Sequence, residues 1–245
     1  MHKVAVVTGA GQGIGRAVAQ EMGAAGYAVA VCDINEQTGK ETVSQMVSAG
    51  NHAVYYYVDV TNYESIEACV LDIEKNVGPV HVLVNAVGWD IIEPFLDNTF
   101  DYWDKVINLN YRSVLYCCRA VLPKMIERGY GRIVNIGSDA GRVGSMGESV
   151  YAGTKGGVIA FTKSLAREMA RKGITVNCVC PGPTDTPLFH SQPDKMKEAL
   201  IRAIPLRRLA KPEEIAYAVR FFAEERAGYM TGQVISVSGG LTMVD

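Results

Sequence analysis

The sequence predicts an α/β fold, a single-domain doubly wound parallel sheet of about seven strands with helices on both faces. Three observations carry that expectation. Short apolar, β-branched runs alternate with helical stretches along the whole chain, the pattern of strands joined by helical crossovers. The 245 residues suit one large domain. No Pro/Ser-rich linker, repeat or low-complexity tract divides them.

Taken in order, the runs at 4–8, 28–33, 53–58, 80–85, 132–136, 175–179 and 233–237 read as strands buried on both faces, each bounded by Gly, Pro or Asp. Between them, helices are predicted over 14–25, 36–49, 64–77, 100–127, 150–171 and 212–224. The first shows an apolar stripe of Ala17, Val18, Met22 and Ala25. Asn62 and Pro212 are start signals for two of the helices. Pro123 is expected to kink or end the last turn of its helix, because proline lacks the N–H and collides with the preceding turn. Right-handed crossovers then impose the doubly wound arrangement. The one break in composition, 181–209, contains five prolines and a short amphipathic piece at 196–204, which reads as a lid around 183–209.

Composition excludes several functions. Lys and Arg number 24 against 26 Asp and Glu, a net charge of −2, so no basic excess exists to neutralise a phosphate backbone and nucleic acid is not an expected partner. A hydrophobic share of 48% excludes disorder. No stretch approaches the ~20 apolar residues of a membrane span, and the chain begins without signal-peptide features, so a cytoplasmic location and no membrane partner are expected. The six cysteines form no Cys-x-x-Cys and lie in apolar runs, while the four histidines lack ligand spacing. Buried thiols and no metal site are the expectation.

Chemistry enters at the end of the first strand. Thr8-Gly9-Ala10-Gly11-Gln12-Gly13-Ile14-Gly15 fits G-x-x-x-G-x-G through Gly9, Gly13 and Gly15 and runs into a helix. Glycines permit the tight turn and close backbone approach, and the helix N-terminus offers free N–H groups to a pyrophosphate. Asp33 closes the second strand 18 residues after Gly15, where a carboxylate accepts both adenosine-ribose hydroxyls and repels a 2′-phosphate. No Arg or Lys follows at 34 or 35, and Gln12 stands where a basic loop residue could help a phosphate. NAD is therefore the expected cofactor, and 1–245 reads as one NAD-binding Rossmann domain. Farther on, Ser138, Tyr151 and Lys155 form S-x12-Y-x3-K. Tyr151 and Lys155 are i, i+4 on one helix face, and an ammonium beside a phenol is expected to lower its pKa toward that of a useful general base.

These motifs resemble those of the short-chain dehydrogenase/reductase family along essentially the whole chain. Asp59-Val60 is similar to its adenine-contacting pair, Asn85-Ala86-Val87-Gly88 to its N-N-A-G strand end, and Pro181-Gly182-Pro183-Thr184-Asp185-Thr186 to its P-G-x-x-x-T segment on the nicotinamide side. Asn110 falls where the family places the asparagine of its Asn-Ser-Tyr-Lys tetrad. The departure is Ala86-Val87 in place of Asn-Ala.

The resemblance implies an oxidoreductase interconverting a secondary alcohol and a ketone by hydride transfer. Tyr151 would be the acid/base, Ser138 the hydrogen-bond donor to the reacting oxygen, and Lys155 the holder of the nicotinamide ribose. Asn110 would support a water relay. Gly9, Gln12, Gly13, Ile14, Gly15, Asp33, Asp59, Val60, Asn85, Val87 and Gly88 would join Tyr151, Lys155, Pro181, Gly182, Thr184 and Thr186 in binding the cofactor. The family habit implies a homotetramer.

The loops after the fourth and fifth strands resemble those of family members acting on 2-hydroxycyclohexanecarboxyl-CoA, in the degradation of alicyclic and aromatic acids. That likeness implies this or a related hydroxyacyl-CoA as substrate, with Trp89 and Arg142 joining Ser138 and Tyr151 around it. Lys195, Lys197, Arg202, Arg207, Arg208 and Lys211 of the lid are available to CoA phosphates. A 3-oxoacyl-carrier-protein reductase, an NAD-dependent dehydrogenase of a free cyclic alcohol and a catalytically dead NAD-sensing module stay open as alternatives.

Overall fold

The computed structural model describes residues 2–244. Seven parallel strands, β1 (Val4–Thr8), β2 (Ala28–Asp33), β3 (Ala53–Tyr57), β4 (Val80–Asn85), β5 (Gly131–Ile136), β6 (Ile174–Pro181) and β7 (Val234–Val237), form one sheet in the order β3-β2-β1-β4-β5-β6-β7. The order reverses between β1 and β4, and in such sheets ligands bind beyond the carboxyl ends of the strands at that point. Alternating residues of each strand enter opposite cores. Val4 and Val6 join one apolar layer and Ala5 and Val7 the other, so both faces are dry.

Helices cover the two faces. On one lie α1 (Gly13–Ala24), α2 (Glu36–Ser48) and α10 (Pro212–Ala223), which bury Met22, Met46 and Phe222. On the other lie α3 (Tyr63–Asn76), α5 (Ser113–Arg128) and α7 (Ser149–Met169), through Ile73, Met125 and Val158. The remaining helices are α4 (Phe100–Ile107), α6 (Ala140–Val143), α8 (Pro187–His190) and α9 (Asp194–Ala203). Asn62 caps α3 by accepting the Ser65 N–H, and Pro212 opens α10. All six cysteines are buried free thiols. No helix of the described residues is long and apolar enough to cross a membrane.

One element differs from its expectation. The helix predicted over 100–127 is two helices, α4 and α5, joined by a π-helical turn at Asn108–Arg112. Proline does not end it. Pro123 lies within α5, where it and Arg119 are exposed, so the carbonyl deprived of a partner faces water while Val121 and Met125 keep the buried stripe continuous. The stop is Gly129, left-handed at φ 65°, where the Gly129 and Tyr130 N–H groups close onto Ile126 and Met125.

Candidate active site

The glycine turn is built by close approach. A Cβ on Gly15 would sit 2.0 Å from the Gly9 carbonyl oxygen, so only glycine lets α1 begin against that carbonyl. Gly9, at φ +66°, is held against Val87, whose Cγ2 lies 3.1 Å from the Gly9 Cβ position; the Ala86 N–H donates to Thr8. Gln12 precedes α1 without a side-chain cap, and no acid occupies the first turn. The N–H groups of Gly13, Ile14 and Gly15 are therefore the natural cradle for an anion.

Asp33 meets this turn directly. Its carboxylate accepts the Gly11 N–H at 2.7 Å and the Asn35 N–H at 2.9 Å. Arg16, unremarked in the sequence, fixes the other side of Gly11 by donating to its carbonyl at 3.0 Å and to Thr42 at 3.0 Å. Across the crevice, Thr186 lies 3.3 Å from the Cβ position of Gly13 and caps α8 by accepting the Phe189 N–H. Thr184 donates to the Gly182 carbonyl, and Pro181 ends β6, so the segment entering the lid closes over the glycine turn.

Not every residue expected at the cofactor turns its side chain toward it. Asn85 is buried and donates to Asn135 at 2.8 Å across the sheet, and Val60 packs in the core. For both, only the backbone remains for the crevice. Asp59 folds back to accept the N–H and hydroxyl of Thr61.

The four tetrad residues converge where β4 and β5 end. Lys155, almost fully buried, donates to the Ile136 carbonyl at 2.9 Å, with Nζ 5.7 Å from the Tyr151 ring centroid. Asn110 stands in the π-helical turn with no exposure. It donates to the Trp89 and Val106 carbonyls and accepts the Trp89 N–H. Asn110 and Lys155 both approach Gly88, whose Cβ position is 3.3 Å from Asn110 Oδ1 and 3.6 Å from Lys155 Nζ. Ser138 accepts the Ala140 N–H at the start of α6, and α6 is pressed onto α7 at Gly141, which leaves no room for a Cβ.

The expected lowering of the Tyr151 phenol by Lys155 is not what this pocket produces. Burial raises its pKa, and the Glu148 and Asp90 carboxylates add to the rise, against the opposing Ser138 hydroxyl. Burial likewise pulls Lys155 down to about 8, against the opposing pull of Cys178, Cys180 and Asp90. At neutral pH the Tyr151 phenol therefore keeps its proton.

Arg142 is a second correction. Its guanidinium donates to Ser236 at 2.9 Å and to the Val244 carbonyl at 3.1 Å, and it faces Asp139 at 3.9 Å. It ties the carboxyl-terminal segment to α6 and is not presented to a substrate. Trp89 is only partly buried, and the Lys105 ammonium lies 3.7 Å from its ring centroid. In the lid, Lys197 pairs with Asp194, Arg202 with Glu198 and Arg208 with Glu214. Such exposed pairs are weak and yield to a stronger anion.

Comparison with known proteins agrees with this geometry. The family described as Enoyl-(Acyl carrier protein) reductase matches residues 9–242. Acetoacetyl-CoA reductase of Shinella zoogloeoides is 40% identical over 241 residues, 98% of each chain. The 3-oxoacyl-acyl-carrier-protein reductase of Pseudomonas aeruginosa is 39% identical over 242 residues, also 98% of each chain. A crystal structure of a Phe-to-Trp variant of actinorhodin polyketide ketoreductase with NADPH superposes with a TM-score of 0.94 at 35% identity, covering 98% of this chain and 97% of that one. With the glycine turn, the doubly wound sheet and the Ser-Tyr-Lys constellation in place, the chain belongs to the short-chain dehydrogenase/reductase family of oxidoreductases that act on ketone and alcohol groups.

Proposed function

We propose that the protein interconverts a β-hydroxyacyl-CoA and the corresponding β-oxoacyl-CoA with NAD(H). Its acyl group would carry a ring, as in 2-hydroxycyclohexanecarboxyl-CoA, whose hydroxyl is β to the thioester. The observation that carries this reading is the convergence of Ser138, Tyr151, Lys155 and Asn110 beside Trp89, at the end of a crevice whose far side is lined by Asp33. The acetoacetyl-CoA and 3-oxoacyl-carrier-protein reductases among the relatives act, by name, on thioesters of the same oxidation pattern.

The residues present fit a nicotinamide dinucleotide. The turn from Gly9 through Gln12 to Gly15 would receive the pyrophosphate, Asp33 the adenosine ribose, and the Asp59, Val60 and Asn85 backbones the adenine side. Val87, Gly88, Pro181, Gly182, Thr184 and Thr186 would enclose the nicotinamide half, with Tyr151 and Lys155 against its ribose. When bound, that group takes or gives the hydride. Ser138 donates a hydrogen bond to the reacting oxygen in both directions. In reduction Tyr151 gives its proton to that oxygen, and in oxidation its phenolate removes the proton from the alcohol. Asn110 would support a relay of water molecules that returns the proton from solvent, with the Lys155 ammonium beside the phenol.

Asp33 supports NAD(H) over NADP(H), because a 2′-phosphate would meet a carboxylate already fixed to Gly11 and Asn35. The NADPH that accompanies the actinorhodin ketoreductase favours the second reading, a 3-oxoacyl-carrier-protein reductase. NAD+ reduction by 2-hydroxycyclohexanecarboxyl-CoA, its free acid and a straight-chain 3-hydroxyacyl-CoA separates these. Preference for the alicyclic thioester supports the proposal. Equal turnover of the straight chain removes the ring specificity, and turnover of the free acid alone removes CoA. The assembly expected is a homotetramer, with α5 and α7 packed against partner copies.

A further inference from the structure

Asp90 has no part in the machinery described above, yet it is a buried acid beside it. It is 5% exposed. Its Oδ1 accepts the Tyr102 hydroxyl at 2.6 Å, and the same hydroxyl reaches the Ile91 carbonyl at 3.2 Å. Its Oδ2 is buried without a hydrogen-bond partner. The group within hydrogen-bonding reach is the Glu148 carboxyl, another acceptor while ionised. A buried carboxylate oxygen facing a second carboxylate is an expensive arrangement unless a proton lies between them.

We infer that Asp90 and Glu148 share one proton, and that the pair is a positioning device which couples the substrate loop to Tyr151. Two connections support this. Asp90 follows Trp89, whose backbone carries Asn110, and Glu148 is the residue from which α7 starts, three before Tyr151. The same junction is closed by the Glu93 N–H donating to the Gly147 carbonyl at 3.0 Å and by Ile92 packed 2.9 Å from the Cβ position of Gly147. With one proton shared, the two segments are drawn together. With none, two negative charges push them apart beside the phenol.

The charged and titratable groups around the pair are few. Tyr102 and Lys105 belong to α4, Lys105 stacking on Trp89, and Glu93 comes from the loop that follows Asp90. Tyr151 and Lys155 face it from α7. Desolvation lifts Asp90 to about 7, the Tyr102 hydroxyl opposing and Glu148 reinforcing, so the shared proton is lost near neutral pH. Both carboxylates also raise the Tyr151 phenol.

The link to Tyr151 rests on its proposed acid/base role, but the shared proton does not. Two readouts therefore separate the claims. In the substrate-free protein with 13C-labelled carboxyls, one Asp or Glu signal should titrate near neutral pH, be lost in Asp90→Asn and move to lower pH in Glu148→Gln. Titration of every carboxyl in the ordinary acidic range overturns the inference, whether or not the protein turns over any thioester.

In steady-state kinetics, the limb of the kcat/KM–pH profile governed by Tyr151 should move down by about one pH unit in either variant, as loss of a nearby like charge requires. Asp90→Ala, which removes the 2.6 Å bond from the Tyr102 hydroxyl, should lower kcat while Asp90→Asn restores it. An unmoved limb in Asp90→Asn and Glu148→Gln overturns the coupling, even if the carboxyl titration is found.

Discussion

Gly15→Ala isolates the contribution of the glycine turn. The added methyl would lie 2.0 Å from the Gly9 carbonyl oxygen and 2.7 Å from its carbon, where comfortable carbon separations are about 3.5–4.0 Å. The obstacle is backbone, so it cannot rotate away, and the turn must open by about 1 Å or more. Overpacking of this kind costs about 1–3 kcal/mol, which for a chain of this size lowers Tm by roughly 2–12 °C. Displacing an N–H that bonds a charged phosphate costs a further ~1.5–3 kcal/mol of binding, or about 10- to 150-fold in NADH Kd. Differential scanning fluorimetry and NADH fluorescence titration measure the two effects separately. Gly23→Ala is the control, because its methyl would meet Met46 and Asn51 on the α2 side of the same helix. It should lower Tm and leave Kd unchanged. A Gly15→Ala protein that binds NADH as tightly as wild type refutes the assignment of this turn to the pyrophosphate.

Other predictions follow from single contacts. Tyr151→Phe should lower kcat by about 10²–10⁴-fold while NADH still binds, and substantial residual turnover counts against its role. Because burial raises the phenol, reduction should fall and oxidation rise as pH increases, read by initial rates in both directions. Arg142→Ala should lower Tm, since it strands the nearly buried Asp139, yet leave KM for a CoA thioester within about twofold; a large KM effect would restore Arg142 to the substrate site. The raised Asp90 pKa means that the folded state holds this proton more tightly than the unfolded chain. Its contribution is complete below about pH 4 and is lost as pH rises through about 7. Urea denaturation at pH 5 and 8 should show wild type losing stability relative to Asp90→Asn across that interval.

The fold was legible because its signals are local and repeated. β-Branched runs such as Val29–Val31 and the stripe of Ala17, Val18 and Met22 report their own burial, and all seven strands fall within two residues of expectation. The glycine turn, Asp33 and the Ser138-Tyr151-Lys155 spacing were legible because each chemical task restricts residue type at a fixed place in the chain. What escaped depends on partners distant in sequence. Arg142 reads as a free cation until Ser236 and Val244 arrive 94 and 102 residues later. The net effect of the pocket on Tyr151 escaped because spacing along a helix says nothing of burial. Asn108 and Asn110, polar positions within an apolar stripe, were the available sign of the π-helical turn. No local pattern announces that Asp90 and Glu148 meet.

The activity proposed is hydride exchange between NAD(H) and a β-hydroxyacyl thioester, with Asp33 excluding the phosphorylated cofactor. An ionised Asp33 against a 2′-phosphate is a like-charge contact that costs several kcal/mol, so Asp33→Ala should shift the NAD/NADP preference by about 100-fold. The direct measurement is kcat/KM for NAD+ and NADP+ with 2-hydroxycyclohexanecarboxyl-CoA, in wild type and in Asp33→Ala. Wild type should prefer NAD+, and that preference should collapse in the variant. Equal or better efficiency with NADP+ in the wild-type protein would contradict it.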